Sequence, residues 1–494
     1  MKVSIMKKIA ILLVAAFALL GVNTANAQSR TSYFMEGSYF RSEFNPALVP
    51  TRGYFMIPGA SGLNLNIGTN FLSFDNLIYK RGDQYVTALH KSVTADDLMK
   101  QLPKTLKVNA NVNVNLFGLG FYTKKIFWSV GANLRTDNNL SLSPDIFRAI
   151  KTLGNGTFNL GSTAFSSNEY VEAYVGTAFP LLDWLTIGVK GKFLFGLANA
   201  QAEFDKLYID INENAVTAQL MGTWKANSPV FDNRPLVAGA KEVGFNDLLC
   251  INDMAYMQQN LNNFGAAVDF GVEMRFFNNH LKVSAAVADL GIIKWAATSH
   301  IGGEVTGGFQ YTGVEIGADG MTEEIVRPLD GSDTFINTDN LIKSGKYEGY
   351  PTRLSYSINV GAEYNILKNK IAFGVFSQTK MLNTSPYQEV TASVNLRPTN
   401  WLSATVSQTL HKGSAPSVFG AAINFHPAMI NFYLGVDFID SNYVSAGKVS
   451  GLDILIPRNA NSLCLYTGMA FNFGRPKHLK PQKKAAEGGE PRWE

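Results

Sequence analysis

The stretch Val108-Asn109-Ala110-Asn111-Val112-Asn113-Val114-Asn115-Leu116 decides how the chain is read. Its even positions are apolar and its odd positions are all asparagine. Side chains of a strand alternate between two faces, so this segment presents one aliphatic face and one all-amide face. Such a strand fits a soluble sandwich with asparagine in bulk water, or a membrane barrel with asparagine in the lumen. The recurrence of the pattern and the two ends of the chain choose between them.

Upstream, Lys2, Lys7 and Lys8 precede an apolar run over 9–22, and Ala25-Asn26-Ala27 follows. A charged start, a short apolar run and a small-x-small site describe a signal peptide cleaved after Ala27. Gln28 then leads the mature chain, and with no cysteine there a lipid anchor is not expected. Removing the three leader lysines from a formal charge of +4 leaves +1, which gives nucleic acid nothing to hold. No later run approaches the roughly 18 apolar residues of a membrane-crossing helix.

Residues 28–60 carry Tyr33, Phe34, Tyr39, Phe40, Phe44, Tyr54 and Phe55 without period-two order, broken by Asn45-Pro46-Ala47, Pro50, Gly53 and Pro58-Gly59. This irregular segment must bury its rings against something else. Alternation begins at 61–70 and returns over 108–122, 126–135, 168–179, 185–193, 266–276, 281–290 and 354–362. It continues over 370–379, 389–397, 401–410, 417–425, 430–438 and 463–473, which makes fourteen strands. Tight turns and long connections join them alternately. Helices are expected over 95–101 and from Ser143-Pro144-Asp145 to Gly154. The strand-like stretches 207–221 and 301–316 read as strand extensions above the membrane. Short turns on one side, long loops on the other and Trp128, Trp184 and Trp401 beside the short turns fit an outer-membrane barrel. The expected fold is all-β: a transmembrane antiparallel up-and-down β-barrel of about 14 strands, with an N-terminal plug and short helices in long extracellular loops. Its expected parts are a signal peptide (1–27), a hatch or plug (28–60), the barrel (61–473) and a disordered basic periplasmic tail (474–494).

An aromatic, irregular segment with Asn45-Pro46-Ala47 ahead of a fourteen-stranded barrel resembles the FadL-type outer-membrane transporters. The resemblance implies that the segment folds into the barrel as a hatch carrying Asn45, Pro46 and Ala47. The helix-bearing loops and Asp289-Leu290-Gly291 with Trp295 resemble the PorV-like and uncharacterised relatives of Bacteroidota. The first likeness implies passive transport of small, hydrophobic molecules across the outer membrane. The second implies a scaffold that grips partner proteins, for example in secretion, by its extracellular loops or periplasmic tail. Outer-membrane lipid is the surrounding partner in both.

No catalytic motif, cofactor loop or metal-ligand spacing appears, and the six histidines are scattered, so no enzyme and no cofactor are expected. The lumen face carries Lys190, Lys192, Asp269, Glu273 and Arg275, with Arg135, Arg353, Glu363, Glu389 and Arg397 elsewhere. Strands 185–193 and 266–276 are neighbours, which sets the two lysines level with Asp269 and Glu273. The arrangement reads either as a selectivity network beneath the hatch or as a wall that neutralises its own charges. A charged axis conducts apolar cargo poorly, so such cargo leaves sideways or the cargo is polar. Cys250, Met254, Met257 and Leu261 share one face of an expected helix, and the last three form a candidate apolar site at the mouth. Whether Cys250 and Cys464 pair in an oxidising compartment is open at this point.

Overall fold

The alternating stretches close into one ring. The computed structural model describes residues 29–474 and 476, except 58–60, 72–75, 77, 83, 89, 153–155, 212–215, 240–244, 318–319, 329–335, 338–345, 382–385, 411–417, 441–442, 450–451 and 458–461. The signal-peptide and tail readings therefore lie outside the described residues. β1 (Gly53–Met56) and β2 (Leu63–Thr69) lie end to end as the first stave, beside β3 (Leu106–Thr123). β4 (Ile126–Leu142), β5 (Ala164–Leu182) and β6 (Leu185–Ile211) follow, each antiparallel to the one before. β7 (Val216–Asn227) folds back outside the ring, and β6 pairs on with β8 (Phe264–Phe276) and through it with β9 (Leu281–Trp295). β10 (His300–Gly317) pairs with β7, while β11 (Tyr350–Arg353) and β12 (Tyr356–Ile366) together form the next stave. β13 (Ile371–Met381), β14 (Pro386–Thr399), β15 (Leu402–Leu410), β16 (Val418–Phe425) and β17 (Ile430–Asp440) complete the wall to β18 (Ser462–Phe473). β18 pairs back onto β1 and β2, so the fourteen antiparallel staves close.

Alternation sorts the two faces. Phe193, Phe195, Val268, Phe270, Leu434 and Leu465 are exposed on the outside. Asn109, Asn115, Asn133, Glu172, Lys190 and Asp269 are buried inside. Trp128, Trp184 and Trp401 are exposed at the short-turn end. Bulges reverse the alternation, and two of them bear on the lumen. One, between Asn115 and Phe117, leaves Phe121 exposed and turns Gly118 and Gly120 inward. The other, opposite the Val268/Phe270 step, holds Asp289 at φ +64° and turns Ile293 and Trp295 inward.

β6 is 27 residues long, about 90 Å at the usual strand rise and far more than the ~10 residues that cross a membrane. Its upper half carries the side sheet with β7 and β10. The stretch 207–221 is accordingly not one extension: it finishes β6 at Ile211 and starts β7, antiparallel to it, at Val216. Helix Ala95–Gln101 forms as read, with a capping box between Thr94 and Asp97. Helix Asp145–Thr152 also forms, and Gly154 lies outside the described residues.

The expected boundary at residue 60 falls too late, because Gly53–Met56 is already wall. Four residues are too few to show a period. Their inward side chains fit because β3 has glycine opposite: a Cβ on Gly118 would lie 2.4 Å from Met56 Sδ, and one on Gly120 2.4 Å from the Tyr54 ring. The remaining inner segment, residues 29–52, runs through the lumen with two 3₁₀ turns, Arg30–Phe34 and Tyr39–Glu43. Its rings make a core that the polar lumen wall alone would lack. Tyr33 stacks on Phe376 at 4.2 Å, Phe40 lies parallel to Tyr466 at 6.2 Å, and Tyr39 meets Tyr54 at 5.1 Å.

Candidate functional site: the lumen above the inner segment

Asn45-Pro46-Ala47 seats against β6 and β8. Asn45 Oδ1 accepts the Ala47 N–H at 2.8 Å, which closes an Asx turn around the proline. Asn45 Nδ2 donates outward to the carbonyls of Val272 (3.0 Å) and Ala285 (3.3 Å). The turn approaches so closely because Gly188 and Gly271 face each other across the two strands. A Cβ on Gly188 would stand 2.2 Å from the Pro46 carbonyl carbon, and one on Gly271 2.0 Å from Asn45 Oδ1. The triplet fills a notch that only glycine can leave.

Beside this notch lies an ion network. Asp269 is in register with Lys190, and its Oδ2 is 2.8 Å from Lys192 Nζ and 4.0 Å from Lys190 Nζ. Lys192 also meets Glu172 at 3.5 Å and donates to Asp289. Arg135 binds Glu172 through Nε at 2.9 Å and meets Asp289 at 3.6 Å. From the inner segment, Glu43 reaches Arg135 Nη2 at 2.5 Å and Lys190 Nζ at 3.3 Å. Burial alone would raise the Glu43 carboxyl, but Lys190, Arg135 and Lys192 outweigh it and hold it at about 2. Lys190 also lies over the Tyr174 ring at 4.8 Å.

Of the lumen charges read from the sequence, the structure places Lys190, Lys192 and Asp269 together, and Glu273 and Arg275 apart from them. Glu273 stands opposite Thr186, four residues from Asp269 along its strand, or about 13 Å. It pairs instead with Arg275 at 2.7 Å near the short turn. Glu43, Glu172 and Asp289 complete the network and were missed. Asp289 was hidden by the bulge, and Glu43 by its place in an aromatic segment. A carboxylate set among rings that must be buried was the available signal.

Above the inner segment the lumen holds a cavity of about 120 Å³. Asn64, Asn66, Asn111 and Asn113 line one side, so part of the amide face of the opening stretch is cavity wall. Arg135, Asp137, Asp289, Gln378 and Lys380 line the rest, with Glu43, Phe44 and Ser29 from the inner segment. Amide orientation follows from an anchored chain. Asn359 Nδ2 donates to the Phe44 carbonyl (2.8 Å), so its Oδ1 accepts from Gln378 Nε2 (2.9 Å).

At the mouth, the shared face of Cys250, Met254, Met257 and Leu261 is split. Asp253 caps the helix by accepting the Tyr256 N–H at 3.0 Å, so the helix is Met254–Gln259 and Cys250 precedes it. Cys250 is buried with Sγ on the Pro229 carbonyl at 3.3 Å, while Met254 and Leu261 are exposed and Met257 is half-buried. Cys464 is buried on β18 and donates to Asn64 Oδ1 at 3.6 Å. Both thiols are free, so no bridge joins mouth to wall. Among the described residues no group of His, Cys, Asp and Glu is arranged to hold a metal ion.

Residues 46–437 match the model of a family described as a family of unknown function, DUF5723. The chain belongs to this family. Curated protein sequences give no match. Among solved structures, a TodX deltaS2S3 mutant monoaromatic hydrocarbon channel is 10% identical, with 89% of this chain and 94% of that chain covered and a TM-score of 0.37. The Pseudomonas putida toluene transporter TodX is 8% identical over 91% and 94%, with a TM-score of 0.32. A Pseudomonas aeruginosa FadL homologue is 9% identical over 92% and 98%, with a TM-score of 0.39. Likeness at this level says nothing about what this lumen binds.

Proposed function

We propose that this DUF5723 protein is an outer-membrane channel in which residues 29–52 act as a hatch over a passage for small polar solutes. The observation that carries the reading is the inverted polarity of the barrel. Phenylalanine and leucine stand outside, while amides and ion pairs line a cavity inside, above a segment docked at several points. A soluble protein would gain nothing by exposing a ring of phenylalanines; lipid accounts for it. The polar lining moves the expected cargo from hydrophobic to polar, because an apolar solute would strip water from these groups at about 1–3 kcal/mol each. A hydrophobic cargo would need a route other than this charged lumen.

Swelling of liposomes in an arabinose gradient tests the reading. Slow swelling with the full chain and faster swelling after deletion of residues 29–52 are expected. Rates equal to those of protein-free liposomes for both would overturn it. A scaffold role is the second reading, favoured by exposed Val237, Ile251, Met254 and Leu261 on the loop after β7. A partner retained in stoichiometric amount through that loop would support it.

A further inference from the structure

Lys380 and Asp137 stand out among the charges of the cavity because neither is spent. Arg135 and Asp289 face the same space, but the ion network already holds both. Lys380, on β13, makes no ion pair within 4.0 Å among the described residues and has no hydrogen-bond partner there. Asp137, on β4, accepts from Ser355 Oγ, which reaches it across the lumen, and from Asn139 Nδ2 at 3.0 Å, but among the described residues it too has no cation within 4.0 Å. The two belong to well-separated staves, with Asp137 in register with Asn111 and Asn168, and Lys380 in register with Ser357. One cavity therefore presents a fixed unpaired cation and a fixed unpaired anion, close enough to feel each other and too far apart to pair.

Resting on the channel reading above, we propose that this cavity is a binding site for a small zwitterion, a free amino acid or dipeptide. Its carboxylate meets Lys380 and its ammonium meets Asp137. A simple anion would gain Lys380 but face Asp137, Asp289 and Glu43, and a simple cation would gain Asp137 but face Lys380 and Arg135. A sugar could use the asparagines and serines but would leave both charges without a counter-ion. A zwitterion satisfies both at once. The volume holds on the order of ten water-sized groups, which suits a dipeptide rather than a long chain. The side chains of Asn111, Asn113 and Gln378 supply amide groups for its peptide bond, and Phe44 and Tyr170 offer a small apolar shelf.

Calorimetry on the full-length protein in detergent tests this with L-alanyl-L-alanine, its N-acetyl derivative and its C-terminal amide. The zwitterion should bind at least about tenfold more tightly than either capped form, the scale of one charge-assisted contact. Lys380→Met should remove the discrimination against the amide and leave that against the acetyl form, and Asp137→Asn should do the reverse. Equal binding of the three peptides by the unaltered protein would overturn the proposal without needing any variant to fold. Arabinose-driven swelling together with equal binding of the three peptides would leave the channel standing and remove the site. Absence of all solute flux, with dipeptide discrimination intact, would remove the channel and leave the site.

Discussion

Gly188→Ala is the sharpest probe of how the inner segment is seated. The added methyl would lie 2.2 Å from the Pro46 carbonyl carbon and 2.3 Å from the Ala47 nitrogen. These are backbone atoms of a closed turn and cannot swing aside as a side chain can. Overpacking costs about 1–3 kcal/mol where neighbours yield. Lifting the turn also loses the two hydrogen bonds from Asn45 to Val272 and Ala285, at about 0.5–1.5 kcal/mol each. Together these give about 2–6 kcal/mol, a shift of at least about 30-fold toward an unseated segment. The wall itself should tolerate the change, because the methyl points into the lumen and the pairing of β6 with β8 is untouched. Hydrogen exchange of peptides from residues 29–52 should rise by that factor, while the heat-modifiable migration of the folded barrel stays as it was. Gly191→Ala is the matched control on the same strand, since a Cβ there meets nothing within 4 Å. Equal exchange in the two variants would refute the notch.

Three further outcomes are expected. Phe193→Arg, at one of the most exposed outward rings, should impair assembly into liposomes by about 2–4 kcal/mol if it lies near the membrane midplane, whereas Asn113→Ala should leave assembly nearly unchanged. Lys192→Met should cost about 3–5 kcal/mol in chemical denaturation because Asp269, Asp289 and Glu172 lose a shared cation, and adding Asp269→Asn should recover part of it in a double-mutant cycle. The Glu43 carboxyl is held at about 2 against an ordinary 4.5, so its contribution is complete above 4.5 and is lost as pH falls through 2; exchange protection of the inner segment should stay level from pH 7 to 5 and decline only below, and a decline centred near pH 6 would contradict the pairing.

The wall was legible because lipid and lumen impose opposite demands on alternate residues over all fourteen staves. Repetition averages out the errors of any single strand. What alternation could not show is where it reverses. Asp289 sits at φ +64°, an uncommon conformation for a residue other than glycine, asparagine or aspartate, and the bulge there turns a carboxylate into the lumen at the height of Lys192. The reversal is visible after the fact: outward Val283 and Val287 give way to outward Leu290 and Ile292, a change from odd to even positions. Glu273 failed for a related reason, since neighbouring strands fix which residues can be near each other but only the register fixes which are level. The cavity was less legible still, because Lys380 and Asp137 come from staves with no sequence relation.

The way the inner segment meets the wall says why it takes one position. Its three wall-pairing charges each meet local wall charge of opposite sign. Arg30 pairs with Glu389, and the next residue, Thr31, gives its N–H to Asp437 at 3.0 Å. Glu36 meets Arg397 at 3.1 Å and pairs with Lys282, where Glu363 alone would set one carboxylate against two cations. Glu43 then joins Arg135 and Lys190 on a third side. Such buried pairs add little net stability, because desolvation cancels most of the attraction. Misplacement is another matter: a slip of the segment would bring Glu36 or Glu43 toward Glu389 and Asp437, and would leave several buried charges unpaired at once. The aromatic rings supply the drive to enter the lumen and tolerate many packings. The charges reject all but one of them. In the channel proposed above, a segment held in this way would leave as a unit, since breaking one pair exposes the others, and that suits a closure that is either seated or open.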